Sequence, residues 1–94
     1  MTKPKLSDPQ MRLLRVLKTK GSYMVRDRRT LKGWLFDWHN PLSWRPVHYA
    51  TIDAALRRSW LRQDRRHKRA SVLRITPAGL AALAEWEQQK GGGS

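Results

Sequence analysis

Arg65, Arg66, Lys68 and Arg69 enclose His67 in a run of five residues. Unpaired charge is too costly to bury, so these cations belong against water or against an anion. Arg57, Arg58 and Arg62 precede the run closely, and Arg45, His48 and Thr51 stand a little further upstream. A guanidinium fits phosphate oxygens, and in the major groove it pairs bidentately with O6 and N7 of guanine. The whole chain has the same bias, with 20 Lys and Arg against 7 Asp and Glu and a formal net charge of +13 over 94 residues. A surface of that charge repels itself and attracts phosphate. Arg45, His48, Thr51, Arg57, Arg58, Arg62, Arg65, Arg66, Lys68 and Arg69 are therefore the candidate nucleic-acid-binding set.

Other chemistries find no footing in the residues. The carboxylates form no pair at a spacing suited to acid and base catalysis, and Asp37, Asp53 and Asp64 each stand near basic residues as charge partners. His39, His48 and His67 are scattered and lack the ligand spacing of a metal site, and no glycine-rich phosphate loop is present. The expectation is a protein without catalytic residues, cofactor or metal, and not an enzyme. There is no cysteine, so neither a disulfide nor a thiolate site can form. No apolar run approaches the roughly 18 residues of a membrane span, and no leader or lipidation motif opens the chain. A membrane partner is not expected; a cytoplasmic location is.

The five tryptophans pose a choice. Trp34, Trp38 and Trp44 could stack on the bases of a single strand, but core packing is the stronger reading, because Trp60 falls on a helical apolar stripe and Trp34 in an apolar strand. Trp44, in a polar segment beside Arg45, is explained least by a core.

These side chains need elements to hold them. The length suits one small domain over 7–90, with a basic arm at 1–6 and a flexible linker or tag remnant at 91–94. Ser7 and Gln10 form a capping box, Pro9 sits in the first turn, and Leu6 and Met11 make a staple. Met11, Leu13, Leu14 and Leu17 give that helix its apolar side, and Gly21 stops it. Tyr23-Met24-Val25 and Gly33-Trp34-Leu35-Phe36 read as a hairpin across a polar turn, with a helix over 30–38 as the alternative. His39 to Pro46, interrupted by Pro41 and Pro46, reads as a loop or a short helical turn. Tyr49, Ile52, Leu56 and Trp60 form the stripe of a helix over 48–60, whose opposite side carries Ala50, Ala54, Arg57 and Arg58 with Thr51 at its edge. Leu61 to Asp64 and Ser71 to Thr76 are strands joined by the basic tip. Thr76 and Pro77 start a last helix as N-cap and first residue, with Leu80, Leu83 and Ala84 as its apolar line and Trp86 partly off it.

The segments ALRRSWLRQ and LRITPAGLAAL, with the basic hairpin between them, resemble the end of winged-helix regulators of the MarR and PadR type. The likeness covers about Val47 to Glu85. The first half is similar to short bacterial and phage-encoded winged-helix proteins, which carry a β-hairpin between the first helix and the recognition helix. Two features depart from the pattern: Ser59 stands where many relatives have glycine, and no clear second helix precedes Val47. The resemblance implies an α+β winged helix-turn-helix fold, with three to four helices, a C-terminal β-hairpin wing and an additional N-terminal hairpin. It implies a double-stranded DNA-binding regulator of transcription. The helix over 48–60 would enter the major groove, with Thr51, Arg57 and Arg58 near base edges, and the wing at 65–69 would hold the backbone. A homodimer through the first and last helices goes with that reading. The alternatives are a binder of RNA or single-stranded DNA, and a small phage or toxin-like protein that binds and inhibits a host enzyme.

Overall fold

Ser7 opens the first helix, α1 (Asp8–Lys18), as the sequence predicts. Its hydroxyl accepts from the Gln10 backbone N–H, and the Gln10 side chain accepts from the Ser7 N–H, so two donors that a helix start leaves orphaned are satisfied reciprocally. The structure, a computed structural model, describes residues 6–92. The basic arm at Met1 to Lys5 and the end of the expected linker, Gly93 and Ser94, lie outside the described residues.

After α1 the chain builds β1 (Tyr23–Asp27), β2 (Gly33–Asp37) and β3 (Asn40–Val47), crosses through α2 (Tyr49–Arg57), returns as β4 (Leu61–Arg66) and β5 (Ala70–Ile75), and ends in α3 (Pro77–Gly92). The strands form one five-stranded sheet in the order β3-β2-β1-β5-β4, and every pairing is antiparallel. Three pairings join neighbours in sequence; β1 with β5 is the long-range one.

Side chains alternate between the faces of a strand. Met24 lies opposite Leu35 on one side and Leu73 on the other, so these three share a face, and Leu61 joins them opposite Ile75. They are buried together with Leu13, Leu14 and Leu17 of α1, Ile52 and Ala55 of α2, Trp60, and Ala82 and Leu83 of α3. All three helices thus pack on a single face of the sheet. A fully buried Leu14 or Ile52 contributes about 1.5–3 kcal/mol through the area it removes from water.

Two glycines permit this close packing. A Cβ at Gly33 would stand 2.5 Å from Ile52 Cδ1, so a side chain there would have to push the end of Ile52 aside. A Cβ at Gly79 would stand 2.5 Å from the Trp60 carbonyl oxygen, which explains a glycine in the first turn of α3. The Gly79 N–H also donates to the Thr76 hydroxyl at 3.0 Å, the expected N-cap. The same approach turns α3 so that Gly79, Ala82, Leu83 and Trp86 face inward while Leu80 and Ala84 face solvent, unlike the apolar line read from the sequence. The helix continues through Gly91 and Gly92, past the expected linker boundary and against the low helix propensity of glycine.

The α+β class is as expected; the winged helix-turn-helix is not. A meander of β1, β2 and β3 occupies the chain between α1 and α2, so α2 has no preceding helix to form a helix-turn-helix, and the basic hairpin is the edge of a five-stranded sheet rather than a wing beside a helical bundle. The misread piece is His39 to Pro46, which forms most of β3. Its prolines are accommodated because β3 is an edge strand, where a missing N–H need not break a ladder. The expected homodimer helices, α1 and α3, pack against each other within the chain.

The helix expected over 48–60 is also shorter. It ends at Arg57, and Ser59 adopts φ 60°, reversing the chain so that Trp60 reaches the core from outside the helix. Tyr49 is exposed, and Ala55 takes a buried place beside Ile52. An L-residue in the left-handed region is strained by about 1 kcal/mol or more. Ser59→Gly is therefore expected to raise stability by about 0.5–1 kcal/mol. The urea midpoint measures it, and a fall in the midpoint would contradict this backbone geometry.

Candidate nucleic-acid interface

The pairing of β1 with β5 sets two hairpin turns side by side. Asp27 lies opposite Ala70, so the β1–β2 turn and the β4–β5 turn emerge at the same end of the sheet. The Arg28 N–H donates to the Arg69 carbonyl at 2.9 Å, and Arg28 Nη1 donates to the carbonyls of His67 at 3.1 Å and Lys68 at 3.5 Å. One turn thereby buttresses the other. The first turn is tight: Asp27 Oδ1 accepts from the N–H groups of Arg29 at 2.7 Å and Thr30 at 3.0 Å. Arg28, Arg29 and Lys32 join Arg65, Arg66, Lys68 and Arg69 at this end, all of them exposed.

The candidate residues fall into separate places. Arg65 and Arg66 close β4, and His67, Lys68 and Arg69 form the turn. The start of α2 lies at the same end, because Val47 pairs with Gly33 just after the first turn. There Arg45, His48 and Thr51 meet Arg12 around a recess of about 310 Å³ whose apolar walls include Leu13, Val16 and Leu35. His48 serves as the α2 N-cap, its Nδ1 accepting from the Ala50 N–H at 3.2 Å. Arg57 and Arg58 stand at the other end of α2, and Arg58 lies over the Trp60 ring at 5.0 Å. The six residues of β4 separate them from the tip, about 20 Å at the rise of a strand. Arg62, also near the start of β4, is paired with Asp64 at 2.9 Å. The structure therefore gathers the tip with the start of α2 and leaves Arg57, Arg58 and Arg62 apart from it.

Arg28, Arg29 and Lys32 were absent from the candidate set. The polar segment Arg26-Asp27-Arg28-Arg29 between two strand patterns did carry the signal of a second basic tip, but only the long-range pairing brings it to the first.

The face of the sheet turned away from the helices carries Tyr23, Trp34, Phe36 and Trp44. Tyr23 and Phe36 are stacked with ring centroids 4.8 Å apart, and Phe36 and Trp44 are tilted at 5.3 Å. Trp34 keeps 37% of its surface exposed and Trp44 45%, so neither is a core residue, contrary to the reading that placed Trp34 there. Trp38, 59% exposed, lies instead at the opposite end, its ring beside Gly21.

The acidic residues are local charge partners. Arg26 Nη2 donates to Asp53 Oδ1 at 2.8 Å, tying β1 to α2. Arg74 and Arg62 donate to the two oxygens of Asp64, each at 2.9 Å, and these bonds, the Arg74 one foremost, hold its carboxyl below the usual range. The backbone N–H groups of Thr30 and then Arg29 do the same for Asp27. Among the described residues no group of three or more His, Asp or Glu could hold a metal ion, and no helix is long and apolar enough to cross a membrane.

No protein-family model, curated protein or solved structure matches this chain, so the likeness to MarR and PadR regulators gains no support from known proteins.

A carboxyl whose pKa is lowered by folding favours the folded state above its unfolded pKa, and that contribution is lost as pH falls through the lower, folded value. Asp64 should therefore help to make the protein less stable in acid. The drop in urea midpoint between neutral pH and about pH 3 is expected to be smaller in Asp64→Asn than in the parent. An equal drop in both would show that the Arg74 and Arg62 bonds do not shift this group.

Proposed function

We propose that this protein binds nucleic acid by its phosphate backbone, through the basic end of the sheet. The observation that carries the reading is the docking of the two turns. Arg28 joins them, so Arg28, Arg29 and Lys32 with Arg65, Arg66, Lys68 and Arg69 form one surface instead of two isolated loops. A single exposed basic loop serves solubility equally well. Two loops held together by backbone and guanidinium bonds concentrate like charge in one place, which is unfavourable unless an anion accepts it.

Hydrogen bonds to phosphate position a protein without reading sequence. Double-stranded DNA, with a role in regulating transcription, is the first target for this surface. The start of α2 stands at the same end, with Ala50 exposed and Thr51 partly so; these small side chains let a helix approach a groove closely. Arg57 and Arg58 then serve flanking phosphates at most, since they stand at the far end of α2. A cytoplasmic, nucleoid-associated location belongs to the same proposal.

If about six phosphates are neutralised, the logarithm of the affinity falls against the logarithm of salt concentration with a slope near −5. A titration of labelled duplex DNA across salt measures it. Arg66→Ala should weaken binding to all sequences alike and reduce the slope by about 1. An affinity that does not respond to salt, or an Arg66→Ala variant with the parent's slope, would overturn the backbone grip.

A further inference from the structure

We propose that the open face of the sheet is a stacking platform for the unpaired bases of a single-stranded nucleic acid, a reading that rests on the backbone grip above and adds a second class of ligand to the duplex. The register of the strands arranges this face in two rows that each cross all five strands. Nearest the basic end, Pro46, Trp34, Val25, Val72 and Arg65 lie opposite one another in turn, on β3, β2, β1, β5 and β4. The next row runs Trp44, Phe36, Tyr23, Arg74, Arg62. Phe36 is paired with Tyr23, and Arg62 with Arg74. The Trp44 ring is 5.3 Å from that of Phe36, and the Arg74 guanidinium lies 5.7 Å over the Tyr23 ring.

Each row thus has flat or apolar side chains on the β3 side and a guanidinium on the β4 side. With strands about 4.8 Å apart, a row is about 19 Å long. Aromatic rings stack on any base, and arginines beside them meet the phosphates that follow. Sheets with exposed aromatics accept two or three bases in this way. The first row runs directly into the basic end: Trp34 and Pro46 line a shallow recess together with Lys32 and His48, and Lys32 belongs to the docked turns.

Charge decides between occupants. A second copy of this chain laid face to face would bring Arg62, Arg65 and Arg74 toward their own kind, and Asp64 beside them is already engaged by two of them. A chain of net charge +13 adds long-range repulsion to that contact. A polyanion with apolar bases satisfies both halves of each row.

The test uses the full chain with labelled oligo(dT) and oligo(U) of about 12 nucleotides, within the span that such grooves cover, and a duplex of equal length. The Trp34→Ala/Trp44→Ala variant removes two partly exposed rings, and Trp44→Leu alone serves if the pair unfolds. Single-strand affinity is expected to fall at least about fivefold in either variant, with the parent's salt slope and duplex affinity retained. The arm with the greater loss tells whether RNA or DNA is the preferred single strand. Single-strand binding unchanged in both variants overturns the platform while leaving the backbone grip standing. A parent that binds none of the three probes at low salt overturns the grip itself. A dimer in sedimentation that Trp44→Leu converts to monomer, with single-strand affinity unmoved, assigns the face to a second copy and also overturns the platform.

Discussion

The pairing of β1 with β5 is the constraint on which the rest of the molecule depends. Every other pairing in the sheet joins strands that follow one another in sequence, and could form from its own hairpin. β1 against β5 closes a long stretch of chain, and its entropic cost must be met by what it buries. It brings Met24 between Leu35 and Leu73, which makes one core out of the N-terminal meander and the C-terminal hairpin. The same register sets Arg28 against Arg69. Core and basic end are therefore consequences of a single alignment. A slip of one residue would turn the whole inward set to solvent.

With that sheet formed, three helices are enough to cover one face and no more. The other face is left to its own side chains, and the sequence provides rings that shield one another across β1, β2 and β3. Mutual stacking accounts for Tyr23 and Phe36, which are only partly exposed. It does not account for the surface left on Trp34 and Trp44. A sheet that needed only water on that side would carry threonine or charge at those positions, as half-exposed antiparallel strands do.

What the sequence made legible was local. The Ser7 capping box, the Gly33 strand, the basic hairpin and the Thr76-Pro77 helix start each depend on residues a few positions apart, and each formed where such signals place it. Illegible were the features set by partners far along the chain. Pro41 and Pro46 argue against a strand unless one knows that β3 lies at an edge. Tyr49, Ile52, Leu56 and Trp60 fit a helical stripe, but Ser59 ends the period before Trp60 joins it. Trp34 sits in an apolar strand whichever way it points; only the opposition of Met24 to Leu35 settles that Trp34 faces outward. Pattern identified the elements, whereas the winged-helix expectation needed a helix where the chain makes a meander.

The candidate site follows the same division. A charge run such as Arg65 to Arg69 is placed against water or an anion by composition alone, because nothing in a core can neutralise it. Its orientation is another matter. The two rows of the open face are asymmetric, apolar toward β3 and cationic toward β4, and the basic end lies at only one end of the strands. A flexible polyanion crossing such a surface meets different chemistry in each direction. In the proposed reading the turns supply affinity, since phosphate contacts are alike at every nucleotide. Direction along the strand then comes from the rings, because a base can stack only where a ring is free to receive it. That asymmetry exists because β4 pairs with β5 and β3 with β2, the two halves that β1 and β5 join, so in the proposed reading the orientation of a bound strand traces back to the alignment of β1 with β5.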